Sequence, residues 1–377
     1  MLDIKNRSMG EILSSDKKII IYGAGNNFEK LLKAGEQFNL GAAVELVIDK
    51  NRVNQIYSYS GYRWKILSVE ETEQVVNNPE KFILIITIEK YIEVISLLDG
   101  RKAFDGMESY LWFGFLSAHT GKTYNQPLAM STHYDCHIPK VIHYCWFGDK
   151  KLGEREIRCI NSWKKTNPEF ELRRWDEHNF DVSLIPYVKE AYEAGKYGFV
   201  ADYARYDILY KYGGFYFDLD VELLKPIDIL SENRGVISFE SLNLINSGSI
   251  LAAGPKDSFI GELRNAYIGR SFYLGNGDYD ETPCSFRETD FFKKLGADIN
   301  DAYQIADGFL ILPHEVFAPV NQYSGAYELT MNTMGIHHFE CSWFEADMKQ
   351  EWEGRKALVE NINERLLGNW KTEYGGN

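Results

Sequence analysis

Gly213-Gly214-Phe215-Tyr216-Phe217-Asp218-Leu219-Asp220-Val221 is the stretch whose reading decides how this chain is built. Apolar Phe215, Phe217, Leu219, Val221 and Leu223 alternate with Tyr216, Asp218, Asp220 and Glu222. Side chains two apart in a β-strand share a face. The pattern therefore predicts one strand that buries its apolar face and projects Asp218 and Asp220 together. Two carboxylates held that close raise each other's pKa. A hard divalent cation relieves the repulsion, and Mg²⁺ or Mn²⁺ keeps positions open for phosphate oxygens. Acids on the wet face of a strand are also common without any metal, so the neighbourhood has to decide.

Phe199 to Tyr212 reads as a helix stopped by Gly213 and Gly214. On it, Asp202 and Arg205 are three residues apart and share a face with Leu209. As an exposed ion pair they would be worth less than about 1 kcal/mol. The short Gly-Gly connection, however, keeps their face near the two acids. The planar fork of Arg205 suits diphosphate oxygens, and Asp202 can accept hydrogen bonds from sugar hydroxyls. Upstream, Ile138 to Gly148 reads as a strand entering an aromatic-Gly turn, followed by a helix around Glu154 to Lys165. Downstream lies Gly335-Ile336-His337-His338-Phe339-Glu340-Cys341-Ser342-Trp343. Adjacent histidines in a strand point to opposite faces, so at most one reaches the acids. A neutral imidazole can complete an oxygen-rich Mn²⁺ shell.

The chain has 377 residues, enough for two domains. Its net charge of −14 argues against nucleic acid as a partner, which needs clustered Lys and Arg. It also argues against electrostatic attachment to anionic lipid, leaving at most peripheral membrane association. Aromatic residues make up 14%, including 24 Tyr and 22 Phe, which suits a large core and ring-stacking sites. The first residues have no apolar core of signal-peptide type, and no run reaches the roughly 18 apolar residues of a membrane helix. Five scattered cysteines fit reduced thiols, and a cytoplasmic location is expected. His133, Cys136, His137, His143 and Cys145 are close in sequence, but their spacing fits no zinc pattern.

The first ~115 residues read as a separate α/β unit. Lys18 to Tyr22 is a buried parallel strand, Gly23-Ala24-Gly25 a tight turn into a helix, and Val44 to Asp49 a second strand ending in an acid. That is the layout of a dinucleotide fingerprint, but Phe28 stands where its third glycine would be. Ser68 and Glu71 predict a capping box on the next helix, and Phe82 to Ile88 a third strand.

Taken in order, Ile138 to Gly148, Phe199 to Tyr210, Gly213 to Asp220 and Gly335 to Trp343 resemble glycosyltransferase family 32. That family includes capsular-polysaccharide sugar transferases and yeast mannosyltransferases. The resemblance covers roughly residues 138–345. It implies a GT-A fold: a Rossmann-like, mostly parallel sheet that binds a nucleotide sugar at the carboxyl ends of its strands. It also implies a divalent metal, usually Mn²⁺, and retention at the anomeric carbon. Carried over by position, Cys145, Trp146 and Phe147 lie beside the nucleobase, and Asp202 and Arg205 contact sugar and phosphate. Asp220 is the direct metal ligand, Asp218 its partner that also touches sugar, and Asn246 reaches the donor sugar. His338 is the favoured histidine of the metal shell, and Ser342 and Trp343 donate to phosphate oxygens. Relatives have Thr-Gly-Pro where this chain has Glu281-Thr282-Pro283, in a segment that reads as an acceptor-side loop.

The expectation is therefore α/β: a small Rossmann-like unit (1–118), a linker (119–137), a GT-A domain (138–345) and a helical tail (346–377). Its function would be metal-dependent, retaining transfer from a UDP-sugar to a saccharide or lipid-linked oligosaccharide in surface-polysaccharide synthesis. The rival expectations are an NAD- or S-adenosylmethionine-dependent enzyme acting through the Gly-Ala-Gly turn, and an inert nucleotide-sugar-binding module.

Overall fold

The structure is a computed structural model. It describes the chain apart from residues 6–8, 89, 113–126, 135–136, 241–242, 276, 322–324, 341–345 and 376–377. The chain divides into two compact units: Met1–Gln126 with Ser324–Met331 and Arg355–Asn377, and Pro127–Tyr323 with Asn332–Gly354. The expected tail is thus one helix, Ala346–Tyr374, whose residues from Arg355 onward belong to the first unit. Much of the expected linker lies outside the described residues. Its part from Pro127 to Tyr134 is tied into the second unit, where Thr132 N–H donates to Asn233 and Tyr134 N–H to the Glu232 carbonyl.

The first unit holds a seven-stranded sheet in the order β1-β7-β6-β2-β3-β5-β4. The strands are β1 (Asp3–Ile4), β2 (Lys18–Tyr22), β3 (Val44–Ile48), β4 (Ile56–Tyr59), β5 (Tyr62–Leu67), β6 (Phe82–Ile86) and β7 (Glu108–Leu111). All neighbours are parallel except the β4–β5 hairpin. The capping box forms: Ser68 Oγ accepts from Glu71 N–H, and Glu71 accepts from Ser68 N–H. At the glycine turn, Gly23 has φ +109° and no room for a Cβ beside Ile88 and Thr87. The acid after β3, Asp49, is spent on the turn itself, accepting from Ala24 N–H at 2.9 Å and Asn51 N–H at 2.8 Å.

The second unit is also α/β, with a seven-stranded sheet in the order β14-β15-β12-β13-β10-β8-β9. Its strands are β8 (Val141–Cys145), β9 (Glu171–Trp175), β10 (Gly214–Tyr216), β12 (Gly235–Phe239), β13 (Ile245–Ala253), β14 (Gln304–Ala306) and β15 (Phe309–Leu312). A separate antiparallel ribbon joins β11 (Val221–Leu223) to β16 (Gly335–His337). The main sheet is mixed rather than mostly parallel. The β10–β8, β8–β9 and β12–β15 pairs are parallel, while β13 runs antiparallel to both neighbours. The helix Tyr197–Tyr212 packs against this sheet and is buried nearly all round. Gly213 ends it at φ +63°, and Gly214 follows at φ +108°. A Cβ at Gly213 would meet Pro255, and one at Gly214 the Val141 carbonyl, so two glycines are what allow helix to become strand without a loop.

The single strand expected through Asp218 and Asp220 is broken. β10 ends at Tyr216, residues Leu219 and Asp220 form a turn closed by Val221 N–H on the Asp218 carbonyl, and β11 then pairs with β16. The alternation nevertheless does its work: Phe215, Phe217, Leu219, Val221 and Leu223 all enter one core cluster with Trp163 and Ile142. Burial of the apolar set, not strand continuity, puts the two acids on the other side.

Next to this junction the fold carries a pH-sensitive histidine. Trp175 Nε1–H donates to His143 Nδ1 at 3.0 Å, so the proton sits on Nε2, which faces the Gly213 carbonyl at 2.9 Å. Burial drives the imidazole down from 6.5 to about 4, against the pull of the Gly213 bond. The neutral form is the one the fold favours, so this stabilisation is complete above pH 6.5 and is lost as pH falls towards 4. Its size is roughly 3 kcal/mol at 1.36 kcal/mol per unit. Urea titrations between those pH values should show that loss in the native protein and a flatter profile in His143→Gln.

Candidate active site

The site lies beyond the carboxyl ends of β8 and β10, where open α/β sheets hold their ligands. Four elements supply it: the helix Tyr197–Tyr212, the turn after β10, β13 and β16.

Arg205 is its buried centre. Its Nη2 lies 3.0 Å from Asp202 Oδ1 and 3.2 Å from Asp218 Oδ1. Its Nη1 donates to Ser247 Oγ at 2.9 Å and meets Cys284 Sγ at 3.5 Å. Its Nε donates to the Ala201 carbonyl, and the guanidinium carbon stands 4.9 Å from the centre of the Tyr216 ring. Every arm of the fork is thus oriented before any ligand arrives. Burial pushes the Asp202 carboxyl up to about 6, with Arg205 opposing it. Asp218 also accepts from Tyr216 O–H at 3.0 Å.

Asp220 is held from the far strand. Its Oδ2 accepts from Glu340 N–H at 2.8 Å, and its Oδ1 lies 3.2 Å from His337 Nε2. Burial works against its charge, but His337 and the Glu340 amide hold the carboxyl well below the usual carboxylate range. Burial likewise opposes charge on His337, and Asp220 outweighs it, raising the imidazole above its ordinary value.

His338, the histidine favoured by the sequence reading, is not at the acids. β16 pairs His337 with Val221 and Ile336 with Glu222. One residue of alternation therefore sends His338 to the other face, where its Nε2 meets Glu222 at 3.1 Å. His337 takes the expected place. Oxygens of Asp218 and Asp220 and a ring nitrogen of His337 all lie within 4.8 Å of one another. Two carboxylates and an imidazole fit Mn²⁺ or Mg²⁺, with the harder ion leaning on the carboxylates. The remaining metal-capable cluster among the described residues, Asp176, Glu177 and His178, is partly tied up within itself and by Arg174. The zinc reading gains nothing, since both His143 nitrogens are engaged and Cys136 lies outside the described residues.

Of the other expected residues, Asn246 has its side chain engaged: Nδ2 donates to Glu240 at 2.6 Å and Oδ1 accepts from Gly248 N–H at 2.7 Å. Cys145 is half-buried, its thiol pushed up to about 12 by burial. Trp146 donates Nε1–H to the Lys150 carbonyl at 2.6 Å, which sets the turn. Phe147 faces the core, edge-on to Phe180. Ser342 and Trp343 lie outside the described residues.

The sequence reading missed most of what supports these groups. Glu288, fully buried on the helix Cys284–Lys294, accepts from Ser247 N–H at 2.9 Å and from Tyr206 O–H. Nothing in its local sequence marks it. Gly248 also went unread, yet a Cβ there would stand 2.3 Å from Asp218 Oδ2. The signal was present, since Asn246-Ser247-Gly248-Ser249 is a small, polar run inside an otherwise apolar strand. Gly248→Ala should displace Asp218. A shift of that kind costs activity by about 10²-fold and stability by roughly 1–3 kcal/mol, both measurable on the purified variant.

Residues 153–236 match the family described as "Glycosyltransferase sugar-binding region containing DXD motif". Inositol phosphoceramide mannosyltransferase 1 of Schizosaccharomyces pombe is 33% identical over 134 residues, 33% of this chain and 40% of that protein. The initiation-specific alpha-1,6-mannosyltransferase of Candida albicans is 29% identical over 127 residues, 30% of this chain and 33% of that protein. The chain thus matches less than half the length of these relatives. A solved structure titled "PaToxG Glycosyltransferase" aligns at a TM-score of 0.34 and 17% identity, over 44% of this chain and 74% of that one, too slight a likeness to carry an argument. The resemblance to glycosyltransferase family 32 is borne out by the family and mannosyltransferase matches.

Proposed function

We propose that this chain, whose residues 153–236 match the sugar-binding region of DXD glycosyltransferases, transfers a sugar from a nucleotide sugar to a saccharide acceptor. The observation that carries the reading is the convergence of Asp218, Asp220 and His337 beside a pre-oriented Arg205. Asp218, Asp220 and His337 would hold a divalent cation, Mn²⁺ or Mg²⁺, which would supply positive charge against a departing nucleoside diphosphate. Arg205, whose fork is already engaged by Asp202, Asp218, Ser247 and the Ala201 carbonyl, holds the two acids in place and keeps a fixed positive charge beside them at no reorganisation cost, instead of gripping the diphosphate itself. Asp202 and Asp218 accept hydrogen bonds from donor hydroxyls. The glycosidic C–O bond to phosphate breaks, a bond to the acceptor oxygen forms, and the acceptor proton passes to the leaving phosphate. This front-face course retains the anomeric configuration.

The donor is read as a UDP-sugar. The mannosyltransferase relatives make a GDP-linked mannosyl group the first competitor to test. The acceptor is read as a lipid-linked oligosaccharide in surface-polysaccharide synthesis, met at the inner membrane face by a cytoplasmic protein. Its side of the site is read as the segment from Gly275 to Phe286, which exposes Tyr279 and Phe286 and brings Cys284 to 3.5 Å from Arg205. No described helix is long and apolar enough to cross a membrane.

The test is a screen of UDP- and GDP-sugars with Mn²⁺ or Mg²⁺, scored by nucleoside diphosphate release, with NAD and S-adenosylmethionine in a parallel thermal-shift panel. Metal-dependent release from one donor class supports the reading. No release from any donor, or a shift confined to NAD or S-adenosylmethionine, overturns it.

A further inference from the structure

Ser249 sits in β13, fully buried, two residues beyond the Ser247 that Arg205 holds. Its Oγ lies 2.9 Å from His337 Nδ1, while the opposite ring nitrogen faces Asp220 Oδ1 at 3.2 Å. An imidazole can carry its single proton on either nitrogen, and only the form protonated on Nδ1 leaves the Nε2 lone pair free for a cation. The hydroxyl is therefore placed to accept from Nδ1 and hold the ring with Nε2 towards the acids.

We propose that Ser249 is a positioning residue: its hydroxyl oxygen accepts the Nδ1 proton of His337 and holds the imidazole so that Nε2 faces Asp218 and Asp220. The inference rests on reading those three residues as a divalent-cation site. Two further contacts leave the ring little other freedom. The β11–β16 register fixes the His337 backbone opposite Val221, and Phe339 stacks on the ring at 4.2 Å between centroids and 26° between planes. Neither contact reaches Nδ1; the Ser249 hydroxyl does. Groups behind a ligating histidine typically change metal affinity by about 10–100-fold when removed.

The test is Mn²⁺ binding to the full chain with UDP present, by calorimetry, for the native protein, Ser249→Ala and Asp220→Asn. Imidazole ¹⁵N shifts report the Nδ1 hydrogen bond of His337 without metal or turnover. Ser249→Ala should weaken Mn²⁺ binding about 10–100-fold and move the Nδ1 shift, while its far-ultraviolet spectrum stays native. A purely structural serine would leave affinity unchanged even if the melting temperature fell, and that result overturns the inference alone. Native protein that binds Mn²⁺ no better than Asp220→Asn overturns the cation site itself, and this inference with it.

Discussion

Asp220→Asn is expected to lower metal-stimulated nucleoside diphosphate release by about 10³-fold, roughly 4 kcal/mol of transition-state stabilisation. The substitution keeps size and hydrogen bonding but removes the charge that faces His337. It leaves the Glu340 N–H an acceptor, because an amide oxygen can replace Asp220 Oδ2. The fold should survive with some loss of stability from the broken His337 pair, and the loss in kcat should far exceed what the fall in melting temperature explains. Excess Mn²⁺ should not restore the rate. Turnover within a few-fold of native would remove the carboxylate from its assigned place.

Arg205→Met should have the largest effect on stability. Arg205 is the counter-charge for both Asp202 and Asp218, and its side chain is only 3% exposed. Removing one partner of a buried ion pair leaves the other uncompensated, at about 3–5 kcal/mol. Here two carboxylates lose their partner, and Ser247 Oγ loses a donor. A fall on the order of 10 °C is expected in the transition of the unit that carries it, together with loss of donor turnover. Arg205→Lys keeps a charge but not a fork that meets Asp202, Asp218 and Ser247 at once. It should recover part of the stability and little of the activity. A melting temperature within about 2 °C of native for Arg205→Met would contradict the buried-cation account.

Much of the architecture was legible because it follows from local periodicity. The apolar run Lys18–Tyr22, the Ser68–Glu71 cap and the Gly213-Gly214 stop each depend on residues adjacent in the chain, and each forms as read. The site was legible where charged residues recur at short spacing: Asp202 with Arg205, and Asp218 with Asp220. What stayed hidden depends on pairing between distant segments. The choice between His337 and His338 is a one-residue matter of register between β11 and β16, 116 residues apart at the His338–Glu222 contact, and no local pattern sets it. Glu288 is hidden for the same reason, since its meaning lies in strand β13 some 41 residues away. The β4–β5 hairpin was legible but unread: Ile56-Tyr57-Ser58-Tyr59 and Tyr62-Arg63-Trp64-Lys65 carry β-forming residues on either side of the Ser60-Gly61 turn.

The register between β12 and β13 jumps at one place, from Ile237 opposite Leu251 to Ser238 opposite Asn246. The residues skipped by that ladder are the ones that reach Arg205, Asp218 and His337. There the backbone is held by side chains instead: Ser247 N–H by Glu288 and Gly248 N–H by Asn246. The sheet and the reaction centre are therefore separately anchored. Amide exchange at Ser247 and Gly248 reports on two side chains and not on the global unfolding of the sheet. A substitution at Glu288 or Asn246 can loosen the chemistry in a protein that still melts as one well-folded body.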